Sequence, residues 1–296
     1  DLVVAPQIGR IMRYGFLGQD NMLWENHAPL PATEIWANYG GDKVWPWPQD
    51  RWKMRIGRTW PPPTEADGAA HQARQIGPRT VRLISPELKG YGVRILRDIT
   101  VASSGSRVTI VSRFEPMGIP VMTDWPAVWS ITQVPKPDLA AARRINIASD
   151  KPFYQEMFPG KWTVVGSRWP SVFWLNAPSG TKAKIGLQAD ALAVLRDRVL
   201  FLQYHALTCS EKHDKPTDRA QVYAEEPSDS SGKQGNRYWE LEFTSGGGGT
   251  ERPSLTVIWE LHILCPWRLR EDMTNALFEM KTECVAASAD ENHSAD

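Results

Sequence analysis

The chain has 296 residues, with 34 basic and 34 acidic side chains, so its formal net charge is zero. Hydrophobic residues make up 42% and charged residues 23%, a balance typical of a globular protein with a sizeable core. A neutral chain gives no reason to expect nucleic acid as a partner, and no apolar run reaches the roughly 20 residues that a membrane-spanning helix needs. The length allows one large all-β domain or two average ones.

Three cysteines, Cys209, Cys265 and Cys284, provide no disulfide framework and no paired metal-ligand spacing. We therefore expect no bound metal and no other cofactor. The odd count favours a reducing compartment, although one bridge and one free thiol would also fit. The chain starts at Asp1 without an initiator Met, in what we expect to be a strand. Cytoplasmic location and export after signal cleavage both stay open, and the sequence does not fix the oligomeric state.

Residues 38–52 form the most distinctive segment of the chain. They combine three tryptophans, two prolines and a Gly-Gly pair with charged side chains, and six of the 14 tryptophans lie between Trp24 and Trp60. Indole rings suit stacking on a sugar, and prolines beside them reduce the entropy lost on binding. We predict a rigid aromatic loop that binds a sugar. The alternative is that these tryptophans plug the end of a sheet and bind nothing.

The rest of the chain reads as short strands separated by turns. The 23 prolines and 22 glycines suit long loops between them. The predicted strands are residues 91–101 and 107–114, residues 182–187, the hairpin of 192–195 with 199–204, and residues 237–244 and 255–264.

Helical spacing is convincing only at residues 270–284, near the end of the chain. The fold class that we predict is all-β, a single large antiparallel β-sandwich with long loops and a short C-terminal helix. Its expected parts are a sandwich over residues 1–267, an appended helix over 268–285 and a loose polar tail over 286–296.

The late strand at residues 237–244 carries the strongest candidate for acid–base chemistry. Alternation places three apolar side chains on one face and a tyrosine with two glutamates on the other, namely Tyr238, Glu240 and Glu242. If that face lines a cleft, one carboxylate is a general base, and the second carboxylate raises its proton affinity. The alternative is a solvated outer face with ordinary charges.

A family resemblance rests on several segments. Residues 40–47, Gly-Gly-Asp-Lys-Val-Trp-Pro-Trp, are similar to a loop of the hexose-6-phosphate epimerase branch of the galactose mutarotase-like superfamily, with slightly different spacing. Most of the chain resembles a family of bacterial mutarotase-like domains that has no settled activity. The matching segments are 6–11, 21–26, 38–52, 129–133, 184–187 and 239–242. The resemblance implies a β-supersandwich whose concave face binds a sugar.

The resemblance also implies a glutamate base and a histidine acid that together open the sugar ring. It assigns the base to Glu240, with Glu242 second. The mid-chain segment that holds the family histidine reads Val-Trp-Ser-Ile-Thr-Gln here, and Gln133 can bind a sugar oxygen but cannot protonate it. His71 and His205 are the candidate acids. The alternatives are an exposed loop histidine at His71 and a satisfied core histidine at His205.

The resulting interpretation is a carbohydrate-active enzyme, epimerase-like, with a mono- or oligosaccharide as its partner. The residues expected to contact the sugar are Asn38, Tyr39, Asp42, Lys43, Trp45, Trp47, Gln49, Trp52, Arg10, Arg74, Trp129 and Gln133. One alternative is a lyase or hydrolase on an acidic glycan, in which Lys43, Arg10 and Arg74 meet a uronate carboxylate and Tyr39 shares the proton transfer. The others are a non-catalytic carbohydrate-binding module and a scaffold with a vestigial cleft.

Overall fold

The computed structural model describes residues 1–27, 36–118, 125–145, 152–158, 160–206, 217, 219–225, 237–246 and 252–280. Within these ranges there are two short α-helices, α1 (Trp52–Ile56) and α2 (Leu269–Glu279), and many strands. The strands are β1 (Leu2–Ala5), β2 (Arg10–Tyr14), β3 (Asp42–Trp47), β4 (Gln72–Gly77), β5 (Thr80–Ile84), β6 (Val93–Val101), β7 (Val108–Pro116), β8 (Ala127–Pro135), β9 (Leu139–Arg144), β10 (Tyr154–Glu156), β11 (Thr163–Gly166), β12 (Val172–Asn176), β13 (Ala183–Leu187), β14 (Ala189–Arg196), β15 (Val199–His205), β16 (Ala220–Glu225), β17 (Tyr238–Thr244) and β18 (Ser254–Ile263).

The strands form two sheets in which the described pairings are antiparallel. The eight-stranded sheet has the order β1-β2-β3-β8-β17-β16-β13-β10, and the ten-stranded sheet has the order β11-β12-β9-β14-β15-β18-β7-β6-β5-β4. The prediction of a large antiparallel β-sandwich with a short C-terminal helix is therefore confirmed. The predicted strands are all present, with ends shifted by a few residues, and the expected hairpin is formed by β14 and β15.

The predicted helix is present but shorter than its sequence pattern suggests. It ends at Glu279, and Met280 follows in an extended conformation. Cys284, Cys209 and the tail expected at 286–296 lie outside the described residues, whereas Cys265 is exposed.

The prediction that residues 38–52 form an aromatic loop is wrong for their central part, which is a strand. Their centre is strand β3, which lies between β2 and β8, and α1 follows it. The Gly-Gly pair before β3 has a backbone reason. Gly40 has φ 91°, and a Cβ there would lie 2.1 Å from the carbonyl oxygen of Trp24. Only glycine lets the chain pass this closely and enter the sheet.

Apolar side chains from both sheets form the main core. A small polar network crosses it. The guanidinium of Arg97 on β6 donates to the carboxylate of Asp42 on β3, so the two sheets are joined by a buried ion pair. The hydroxyl of Thr132 donates to the second carboxylate oxygen of Asp42 at 2.8 Å, and the amide of Gln203 donates to that hydroxyl at 3.0 Å. The network satisfies charges that would otherwise be costly inside a core.

Helix α2 packs on the opposite face of the ten-stranded sheet, against β9, β12 and β14. Arg143 on β9 fastens it there. Its guanidinium binds Asp190 at 2.9 and 2.8 Å and donates to the carbonyl oxygens of Leu277 and Met280 at 3.2 and 2.5 Å. These carbonyls at the helix end have no partners within the helix. Neither described helix has the length and apolar content to cross a membrane.

Candidate functional site

Three adjacent strands bring the distant candidate residues together on one sheet face. In β17 the apolar side chains of Trp239, Leu241 and Phe243 enter the core, so alternation turns Glu240 and Glu242 to the opposite, outer face. Glu240 lies opposite Gln133 of β8, and Lys43 of β3 lies opposite Ile131 of β8. The early aromatic segment and the late acidic strand therefore converge on the outer face of the eight-stranded sheet.

Glu240 is the more accessible carboxylate of the pair. Its side chain is 14% exposed, and its Oε1 accepts a hydrogen bond from the amide nitrogen of Gln133 at 2.8 Å. The ammonium of Lys43 lies 3.6 Å from the same oxygen, but the Lys43 side chain is only 1% exposed. Glu240 is therefore in contact with the buried Lys43 and is itself partly accessible to solvent.

Glu242 is enclosed. Its side chain is fully buried, and its Oε2 accepts hydrogen bonds from the ammonium of Lys184 at 2.9 Å and from the indole nitrogen of Trp129 at 2.7 Å. The same ammonium lies 4.7 Å from the centroid of the Trp129 ring. Burial raises the pKa of Glu242, and the positive charge of Lys184 opposes that rise. Lys184 was in a matching segment, but its side chain was not expected in the site.

Burial also changes the proton affinities of the neighbours of Glu240. It lowers the pKa of Lys43, and the charge of Glu240 only partly offsets this effect. It raises the pKa of Tyr238, and the charge of Glu240 adds to this effect. The Tyr238 ring stacks on Trp24 with 4.5 Å between centroids. Lys43 and Tyr238 thus both feel the negative charge of Glu240.

Asp67 supports these residues and was missed by the sequence analysis. Its carboxylate accepts from the guanidinium of Arg10 and from the indole nitrogens of Trp36 and Trp45, at 2.8 and 3.1 Å respectively. Asp67 lies in a short turn after a proline run, where no motif distinguishes it from an ordinary surface aspartate. Arg10, expected to contact a sugar, is fully buried and already ion-paired with Asp67.

The prediction that the tryptophan rings of the aromatic segment are open to a sugar needs correction. Trp45 and Trp129 lie on the outer face, and Trp52 follows in α1, but their exposed fractions are 4%, 2% and 0%. They cannot offer open ring faces to a sugar in this conformation. Trp47 is half-buried against Trp129, with ring centroids 5.0 Å apart. Trp60 is 50% exposed and lies edge-to-face with Trp36 and Trp45, so it is the accessible ring of the cluster.

Several buried polar atoms on the outer face have no hydrogen-bond partner. They are Lys43 Nζ, Gln133 Oε1, Glu242 Oε1 and Gln221 Oε1. Gln221 on β16 lies opposite Glu242, so these atoms belong to neighbouring strands of one sheet face. An unpaired buried polar atom costs about 1–3 kcal/mol, and groups of them in a native protein call for a ligand or water.

Three other candidates lie elsewhere. Asp42 is on the core side of β3, paired with Arg97, because it alternates with Lys43. His205 is on β15, 2% exposed and 6.0 Å from the core-facing Phe243 ring, so it is a core histidine. Arg74 is exposed on β4, the edge strand of the ten-stranded sheet. These three residues cannot join Glu240 without a change of fold.

His71 is buried beside the Arg10–Asp67 pair rather than exposed in a loop. Its Nε2 lies 3.2 Å from the carbonyl oxygen of Glu65, and its ring packs on Gly9. Burial lowers the pKa of His71 to about 4, with a smaller contribution from the charge of Arg97. A histidine that stays neutral in this setting is a poor proton donor at neutral pH.

The remaining predicted contacts flank the site. Tyr39 lies under the Arg10 guanidinium, 5.6 Å from it, and Asn38 has a buried amide oxygen without a partner. Gln49 is partly exposed and donates to the carbonyl oxygen of Thr59 at 3.3 Å. These residues are near the aromatic segment but make no described contact with Glu240.

A surface cavity of about 290 Å³ lies away from this face, near the β14–β15 hairpin. Its walls include Asp20, Arg196 and Arg198, and Arg196 lies 3.5 Å from Asp20. Among the side chains that line it, none has a buried polar atom without a partner. Since this cavity carries no convergent chemistry, we place the candidate site on the outer face. In the described part of the chain, no cluster of His, Cys, Asp and Glu is arranged to hold a metal.

No family model matches the sequence, and no curated protein sequence matches it. Among solved structures, the chain is similar to a TPR-domain containing protein from Parabacteroides distasonis, with a TM-score of 0.54 at 10% identity. That match covers 98% of this chain and 48% of that protein, so the chain spans about half its length.

Two further solved structures match over most of both chains. A galactose mutarotase-like protein from Lactobacillus casei has a TM-score of 0.52 at 8% identity, covering 88% of this chain and 96% of that one. A Synechocystis protein has a TM-score of 0.50 at 11% identity, covering 86% and 89%. Identities this low speak for the fold alone. The fold of this chain is similar to that of the galactose mutarotase-like protein.

Proposed function

We propose that this protein binds a mono- or oligosaccharide on the outer face of the eight-stranded sheet and interconverts its anomers, as an epimerase-like enzyme. The observation that carries the proposal is the group of buried polar atoms without a hydrogen-bond partner near Glu240, at Lys43, Gln133, Gln221 and Glu242. A sugar offers hydroxyls that both donate and accept, so it matches the mixture of donors and acceptors in this group.

Glu240 is the general base in this proposal. It has the solvent access that Glu242 lacks, and the Gln133 amide orients its carboxylate. Glu242 is held by Lys184 and Trp129, so it orders the buried layer beneath the site. The two glutamates therefore have different roles on the same strand.

The indole cluster supplies the apolar contact. Trp60 is half exposed and is backed by Trp36 and Trp45, so its ring can stack on the C–H face of a sugar. Trp47 is also partly exposed. The buried rings of Trp52 and Trp129 form the support beneath them.

Exchange NMR between the α and β anomer signals of D-galactose and D-glucose tests this function. The wild-type protein is expected to accelerate exchange. Glu240→Gln keeps shape and hydrogen bonding but removes the base, so the rate should fall about 10²- to 10⁴-fold while sugar binding persists. Glu115→Gln, in the other sheet and paired with Arg94, is the matched control and should leave the rate unchanged. Full activity in Glu240→Gln would exclude Glu240 as the base.

A second candidate, a non-catalytic carbohydrate-binding module, is favoured by one observation. The four histidines in the described part of the chain are His27, His71, His205 and His262, and none has a described contact with Glu240. Binding of D-galactose without any anomer exchange would select this candidate. The lyase or hydrolase alternative loses support, because Arg10 is committed to Asp67 and Arg74 lies on the other sheet.

A further inference from the structure

We propose that Lys43 is the general acid of the site and protonates the ring oxygen of the sugar while Glu240 takes the proton of the anomeric hydroxyl. This inference rests on the proposed function and names a second catalytic residue for it. In this inference, Lys43 takes the role of the histidine acid that the mid-chain segment of this sequence lacks, from a strand on the same sheet face as Glu240.

The placement of Lys43 supports this role. Its side chain is 1% exposed, and its buried ammonium lies 3.6 Å from Glu240 Oε1 and has no hydrogen-bond partner. The Trp45 ring lies beside it, 5.0 Å away. An ammonium group can only donate, so a buried one needs an acceptor oxygen. A sugar ring oxygen bound beside Glu240 would supply it.

The electrostatics make Lys43 a better proton donor than an ordinary lysine. Burial lowers its pKa, Arg10 lowers it further, and the charges of Glu240, Asp67 and Glu242 act in the opposite direction. A lowered pKa weakens the hold on the proton and brings the lysine closer to the range in which general acids work. Lysine changes its pKa readily on burial, whereas arginine stays protonated.

The proton transfers balance over one cycle. Glu240 takes the proton of the anomeric hydroxyl, the bond between the anomeric carbon and the ring oxygen breaks, and Lys43 gives a proton to that oxygen. The product is the open-chain aldehyde. The aldehyde group then rotates about its bond to C2. The hydroxyl that was the ring oxygen attacks the other face of the aldehyde and returns its proton to Lys43, while Glu240 protonates the aldehyde oxygen.

Lys43→Met and Lys43→Arg test this role, with exchange of D-galactose anomers measured from pH 6 to pH 10. Lys43→Met should lower kcat about 10²- to 10⁴-fold and change the Kd for D-galactose less than tenfold. In the wild type, kcat should fall at high pH as Lys43 loses its proton. Lys43→Arg should have a low kcat without that high-pH decline, because the guanidinium keeps its proton. Lys182→Arg is the control and should match the wild type, because Lys182 is an exposed residue that immediately precedes β13.

The outcomes separate this inference from the function it rests on. If the wild type exchanges anomers but Lys43→Met keeps more than a tenth of its kcat, Lys43 is not the acid. Persistence of the high-pH decline in Lys43→Arg would also exclude it. A wild type without any exchange would overturn the proposed function itself, and the role of Lys43 with it. Circular dichroism and tryptophan fluorescence of each variant establish that it is folded before kcat is compared.

Discussion

Lys43 and Asp42 are neighbours in the sequence and face opposite sides of β3. Asp42 joins the two sheets through Arg97, whereas Lys43 meets Glu240 on the outer face. The period of two along a strand therefore separates a structural charge from a candidate catalytic charge. Substitutions at the two positions should have different effects, on folding for Asp42 and on turnover for Lys43.

Asp42→Asn should strongly destabilise the protein. The change leaves the buried Arg97 charge without its counter-charge, and breaking a buried pair in this way costs about 3–5 kcal/mol. Urea unfolding followed by circular dichroism measures the effect. Asp50→Asn removes an exposed aspartate a few residues later and should change the free energy of unfolding by less than about 0.5 kcal/mol. A cost below 1 kcal/mol at Asp42 would mean that the pair does not hold the sheets together.

His71 should make stability depend on pH. Its pKa is about 4 in the folded protein, because burial disfavours the charged ring, and about 6.5 in the unfolded chain. As the pH falls below 6.5, the unfolded chain takes up a proton that the folded protein refuses. The free energy of unfolding therefore falls between pH 6.5 and pH 4, by about 2 kcal/mol at pH 5 relative to pH 7.

Urea unfolding at pH 7 and pH 5 checks this dependence. His71→Gln should remove most of it, whereas His262→Gln, at a half-exposed position on β18, should retain it. An unchanged pH dependence in His71→Gln would assign the effect to other groups.

At the scale of elements, the site depends on β3, β8 and β17 being adjacent. The alternation of β17 was predictable, because Trp239, Leu241 and Phe243 form a local pattern of period two. The strand character of β3 was not, since Gly, Trp and Pro in close succession read as a loop. Sheet order depends on contacts between distant segments, so the sequence could not place Lys43 3.6 Å from Glu240.

Helix α2 offers a test of one element. Arg143→Met removes the guanidinium that donates to the carbonyl oxygen of Met280 at the helix end and that pairs with the buried Asp190. Hydrogen exchange should become faster in α2 while β17 keeps its protection, and the free energy of unfolding should fall by about 3 kcal/mol. Arg168→Met, which removes an exposed contact with Glu271 on the same helix, should cost less than about 1 kcal/mol. Equal exchange in both variants would show that Arg143 does not anchor the helix.

At the scale of the whole molecule, the fold was more predictable than the site. Strand patterning and the matching segments pointed to the two-sheet architecture, which the similarity to a galactose mutarotase-like protein supports at 8% identity. Such a likeness carries no side-chain chemistry. Asp67 lay in a segment without a motif, and Lys184 lay in a matching segment but was given no role in the site, so the contacts of both emerge only from packing.

The net charge of the molecule likewise did not predict the chemistry of the site. A net charge of zero excluded a strong uniform field but said nothing about the local pairs of Lys43 with Glu240 and Lys184 with Glu242. These pairs form only when the eight-stranded sheet is assembled. The candidate site is therefore a property of the folded sheet rather than of any one segment.

A titration of the tryptophan indole N–H signals with D-galactose tests most directly whether a sugar binds on the outer face. The indole protons of Trp36 and Trp45 bind Asp67 and that of Trp129 binds Glu242, so their NMR signals should shift with sugar concentration. The signal of Trp169, whose indole N–H donates to Asn275 of α2, should stay in place. Shifts confined to Trp169, or no shift at the three outer-face indoles at saturating sugar, would contradict the account.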